Sequence, residues 1–74
     1  MTQKEMRNFI KARIMEEGYT MTEVVQLLHE DYQQSKSLSN LSNKLSAGTL
    51  RYLEAIQLAD ILGYDIIWKK RGSR

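Results

Sequence analysis

Apolar residues recur at three- and four-residue intervals along most of this chain, and glycines at 18, 48 and 63 divide them into helix-length runs. Met6, Phe9, Ile10 and Ile14 form the first stripe, which predicts a helix over residues 3–17. Thr2 and Glu5 stand at the two positions of a capping box, where the hydroxyl accepts from the N3 amide and the carboxylate accepts from the cap amide. Gly18 follows, suited to the left-handed conformation past a helix end. Thr20 and Glu23 make a second capping box, and Tyr19 and Val24 have the spacing of a hydrophobic staple across it. Val24, Val25, Leu28 and Tyr32 then face inward. In the next stretch, HEDYQQSK over residues 29–36, the first half either extends the second helix or begins a loop, and the second half is polar loop.

Ser37 is a cap for a third helix that ends near Ala47 and Gly48. Leu38, Leu41 and Leu45 lie at i, i+3 and i+7, so all three are expected on the buried side. Ser39, Asn40 and Asn43 project the other way, with Lys44 on the flank. Thr49 opens a fourth helix running to Leu62, with Ala55, Leu58, Ala59 and Leu62 inward, Ile56 and Ile61 at the margins and Leu53 on the far side. After Gly63 the pattern changes to alternation. YDIIWK, residues 64–69, reads as a strand with Tyr64, Ile66 and Trp68 on one face and Asp65, Ile67 and Lys69 on the other. The chain offers it no second strand, so pairing with the same segment of another copy is expected.

The expected architecture is all-α: four helices in residues 1–63, then a short C-terminal β-strand and basic tail in residues 64–74 that serve dimerisation. Seventy-four residues allow one small domain with a thin core, which a homodimer would enlarge. There is no cysteine, so neither a disulfide nor a thiolate metal site is available. No apolar run reaches the roughly 18 residues of a membrane span. MTQKEMRNFIK lacks the apolar core of a signal peptide, so a cytoplasmic protein without membrane contact is expected.

The net charge of +2 hides an uneven distribution. Residues 1–31 balance at −2 and residues 54–65 at −3, whereas residues 32–53 carry +3 with no acid and residues 66–74 carry +4. Such a bipolar surface can hold a polyanion despite the modest total. A helix that buries leucines and shows amides, hydroxyls and cations suits a nucleic-acid groove, because Asn bonds an adenine edge in bidentate fashion and Ser and Lys bond bases or phosphates. His29 has no second histidine to share a metal and reads as a surface or helix-end residue. Glu16 and Glu17 read as solvated carboxylates. There is no nucleophile–base arrangement, Gly-rich phosphate loop or cofactor motif, so neither an enzyme nor a cofactor is expected. Trp68 reads as packing at a subunit contact more readily than as a stacking platform for a base, and KKRGSR as either a phosphate contact or a solubilising tail.

Taken in order, these pieces resemble the lambda-repressor-like helix-turn-helix family, the Cro/XRE group. Gly18, Tyr19 and Thr20 leading into residues 21–28, then LSNKL at residues 41–45, then EAIQLADILG at residues 54–63 carry the resemblance, which covers residues 3–63. The chain departs from the family where Val25 replaces a usual alanine, His29 a usual glycine and Met21 a frequent glutamine. It departs also in a connection after helix two longer than the usual three- or four-residue turn. The resemblance implies that helix three enters the major groove of double-stranded DNA. Ser39, Asn40 and Asn43 become base readers, and Thr20, Lys36, Ser42, Lys44 and Arg51 phosphate contacts. Tyr64, Ile66, Ile67 and Trp68 become a homodimer interface similar in kind to the C-terminal strand of Cro-like repressors. The implied function is a transcriptional regulator, a repressor on a palindromic operator. Two other expectations stay open on the same fold: a protein-interaction module, and a toxin-neutralising antitoxin with a protein partner.

Overall fold

The computed structural model describes residues 1–72; Ser73 and Arg74, the end of the basic tail, lie outside the described residues. Four helices follow in order: α1 Gln3–Glu16, α2 Met21–Tyr32, α3 Leu38–Ala47 and α4 Tyr52–Leu62. Each begins where a local side chain satisfies amides that the helix cannot. Thr2 and Glu5 exchange bonds of 3.1 and 3.3 Å, and Thr20 and Glu23 bonds of 3.1 and 3.0 Å, so both capping boxes form. The Ser37 hydroxyl accepts from the Asn40 amide at 3.2 Å.

The core is Ile14, Val24, Val25, Leu28, Leu41, Leu45, Leu58 and Leu62, drawn from all four helices. Each such side chain contributes about 1.5–3 kcal/mol on burial. α1 packs chiefly on α3, and α2 on α4 and α3. Tyr19 packs half-buried against this core.

The structure decides the open reading of residues 29–32 and corrects three expectations. α2 continues through residues 29–32, because Tyr32 lies against α4 and its hydroxyl donates to the Asp60 carboxylate. Gln33 then stops the helix in the left-handed region, at φ 59°, with its amide donating to the His29 carbonyl at 2.9 Å. The connection to α3 is therefore only residues 33–37. Thr49 does not open α4. Its amide donates to the Lys44 carbonyl at 3.0 Å and so closes α3, and the α4 cap falls to Arg51, whose amide donates to Glu54 Oε1 at 3.0 Å. Leu38 is 43% exposed, since the first residue of α3 precedes the turn that meets the core; Phe9 is 51% exposed beside a groove.

The third correction concerns the tail. No strand forms among the described residues. A strand needs a ladder, and no other extended segment is present to supply one. The Tyr64 amide instead donates to the Ala59 carbonyl at 2.8 Å, and the tail turns back along α4. The expected two-faced alternation is not kept, since Asp65 lines the same groove as Tyr64 and Ile66. The Tyr64 hydroxyl donates to Glu17 Oε2 at 2.9 Å, Ile66 lines the groove, and Trp68 Nε1 donates to the Tyr52 hydroxyl at 2.6 Å with the two rings edge to face.

Gly48 joins the C-terminus of α3 to the start of α1. It sits at φ +70°, and a Cβ there would stand 2.8 Å from Gln3 Cγ, whose amide nitrogen donates to the Ala47 carbonyl at 2.9 Å. Gly48→Ala is therefore expected to destabilise through left-handed strain and the lost fit of Gln3. The cost of about 1–2 kcal/mol lowers the melting temperature by roughly 5–15 °C. Thermal unfolding followed by circular dichroism checks this, and an unchanged midpoint would show that the α1–α3 junction tolerates a side chain.

Candidate nucleic-acid interface

α3 is ten residues, about 15 Å, long and is fastened from behind by Leu41 and Leu45. With about 100° between successive residues, burial of these two turns Ser39 and Asn43 directly outward. Asn40 lies on one flank, near Gln34, Ser35 and Lys44. Ser39, Asn40 and Asn43 are all exposed, and it is the backbone amide of Asn40, not its carboxamide, that bonds Ser37. The outer face thus offers two carboxamides and a hydroxyl, with donors and acceptors together, and no carboxylate.

The five residues expected at phosphates are placed differently from one another. Lys36 and Arg51 are exposed, at the chain segments entering α3 and α4. Ser42 is half-buried. The Thr20 amide donates to Glu23 and is occupied, whereas the Thr20 hydroxyl only accepts, from the Glu23 amide, and keeps its own proton to donate to a phosphate oxygen. Lys44 is turned from solvent toward α4, where Nζ lies 2.5 Å from Glu54 Oε2. The pair offsets the Lys44 charge and leaves two of its three ammonium N–H donors for a further acceptor.

That ion pair also fixes how α3 sits on α4. Glu54 accepts from Lys44 with one carboxylate oxygen and from the Arg51 amide with the other. The Lys44 bond, aided by the Arg51 amide and opposed by partial desolvation, holds the carboxyl below its ordinary value of 4.5. Two further contacts brace the connection ahead of α3. Gln34 Nε2 donates to Gln57 Oε1 at 2.7 Å, and the His29 ring nitrogen Nδ1 lies 2.9 Å from the Gln34 carbonyl. His29 therefore works as a helix-end residue.

A second surface feature was not legible from the sequence. Between α1 and α4 lies an apolar groove of about 470 Å³, floored by Ala55, Leu58 and Ala59 and walled by Met6, Phe9 and Ile66. The periodicity sets Ala55 and Ala59 inward with Leu58 and Leu62, but nothing in it tells that α1 leaves the two alanines uncovered. Along the same side, Ile67 and Trp68 are 80% and 83% exposed. The described residues include no helix long and apolar enough to cross a membrane.

Because the folded Glu54 value is depressed, its contribution to stability is complete above the ordinary carboxylate value and is lost as pH falls through the depressed one. Urea unfolding of the parent chain and Glu54→Gln should show the parent more stable at neutral pH, with the difference shrinking below pH 4.5. A difference that does not change with pH would remove the Lys44 pair as its source.

Comparisons with known protein families, with curated proteins and with solved structures find no match for this chain.

Proposed function

We propose that this chain is a sequence-specific, double-stranded DNA-binding regulator of transcription, a repressor on the lambda-repressor-like helix-turn-helix plan. The observation that carries the reading is the outer face of α3: Ser39, Asn40 and Asn43 exposed on a helix whose leucines are held in the core. A helix of this width fits a major groove about 12 Å across, and its carboxamides match the N6 and N7 positions of adenine. The order of capped helices and the segments LSNKL and EAIQLADILG support the same plan.

The homodimer belongs to the same proposal. Tyr64, Ile66, Ile67 and Trp68 in the tail, with Phe9 on α1 and Ile56 on α4, are exposed apolar side chains that such an interface would cover. A stable interface covers about 800 Å² on each partner, and aromatic side chains supply about 150–250 Å² each, so a face of this composition is large enough. Two copies then present two α3 helices to half-sites about one helical turn apart, which favours a palindromic operator. A protein partner on the same fold, including the toxin of an antitoxin, is the second reading, and the groove between α1 and α4 is what favours it.

Salt separates the two readings: DNA affinity falls steeply as salt rises, whereas an apolar protein contact does not. With a site selected from a random DNA pool, Asn43→Ala should lower affinity roughly 10- to 100-fold for that site and far less for random duplex, measured by fluorescence anisotropy. Equal losses on both would take Asn43 out of base reading. Trp68→Ala should give monomers by light scattering, and an unchanged dimer would move the interface away from the tail.

A further inference from the structure

We infer that α1 carries a second contact for the DNA backbone, formed by Lys4, Arg7 and Lys11; the inference rests on the DNA-binding reading above. The three cations lie at i, i+3 and i+7, so they share one side of the helix. The acidic balance of residues 1–31 conceals them, because its carboxylates stand elsewhere: Glu5 is bonded to the Thr2 amide, and the others lie at or beyond the end of α1. Among the described residues, the ion pairs within 4.0 Å are Arg13–Glu16 and Lys44–Glu54, so none of the three stripe residues is neutralised by a carboxylate. Lys4 and Lys11 are exposed and Arg7 is half-buried.

The packing directs this stripe toward the reading face. On one flank of α1, Met6, Phe9 and Arg13 line the groove with α4, and Ile14 points into the core. The cations occupy the flank away from that groove, with Arg7 on nearly the same line of the helix as Ile14 and so bordering the core. The main packing partner of α1 is α3, and Gln3, one residue before the stripe, bonds the Ala47 carbonyl at the end of α3. On α3, Lys44 faces α4 and Asn40 faces the α2–α3 connection, which leaves the flank bearing Ser42 and Ser46 toward α1. The stripe therefore runs beside α3 on the side away from Lys44.

This placement fits duplex DNA in particular. A helix in the major groove has a phosphate backbone on each side. Arg51 stands on the α4 side of α3, and Lys4, Arg7 and Lys11 stand on the α1 side, so both strands meet cations. Lys4 to Lys11 covers about 10 Å of helix, which matches about three phosphates at 3.4 Å of axial rise on one strand. Arg7, nearest the core, has its Nε shielded from solvent without a partner; only its outer guanidinium nitrogens are available to an anion.

The test uses the full chain and a random-sequence DNA duplex, with affinity measured by fluorescence anisotropy across a salt series. Lys4→Gln/Lys11→Gln keeps good helix formers at both positions and should reduce the slope of log affinity against log salt by about 2. Lys4→Arg/Lys11→Arg should retain the parent slope. A parent chain that binds, with a slope unchanged in the glutamine variant, would overturn the stripe and leave the DNA-binding reading intact. A parent chain that does not bind the duplex at all would overturn both.

Discussion

Leu41 and Leu45 decide what α3 can show to the outside. Both are buried among Ile14, Val24, Leu28 and Leu58, and with the helix fixed at those two points its rotation is fixed as well. Slippage by one residue would swing a leucine about 100° into water and a serine or lysine into the core. The exposure of Ser39 and Asn43 is the other side of that constraint. In a core of eight buried residues, each of the two leucines is a large share of the available stabilisation.

Polar groups around α3 divide into those occupied by the fold and those left over. Ser37 caps the helix, Lys44 is tied to Glu54, Gln34 is tied to Gln57, and the Ala47 carbonyl takes the Gln3 amide. These bonds hold both ends and one flank of α3 on its neighbours. Asn43 and Ser39 sit outside this network. A reading face gains from such a division, because residues that position a helix are poor candidates for exchanging partners with a ligand.

The α1–α4 side has the opposite character. α1 and α4 do not close on each other, so Ala55 and Ala59 lie at the floor of a groove and Phe9 stays half in solvent. The tail follows α4 backward, tied by Tyr64 to Glu17 and by Trp68 to Tyr52. Among the described residues it forms no ladder, since β pairing needs a second strand and side-chain bonds alone cannot supply it. The molecule thus carries a polar outer face on α3 and an apolar groove between α1 and α4.

What the sequence by itself determined is local. The capping boxes at Thr2 and Thr20, the Ser37 cap, the stops at Gly18, Gly48 and Gly63 and the inward set of valines, isoleucine and leucines were legible because the groups involved lie within a few residues of each other. The exposed trio on α3 was legible for the same reason, as helical periodicity sets it against Leu41 and Leu45. Only the tertiary structure decided which cations are free. Lys44 and Lys36 look alike in sequence, and they differ because Glu54, ten residues from Lys44, comes within 2.5 Å of it. It also decided that Tyr32 extends α2 toward Asp60, that Thr49 closes α3 instead of opening α4, and that Phe9 borders a groove. Each of these depends on how separate helices meet, and a periodic pattern within one helix says which side is apolar without saying what, if anything, will cover it.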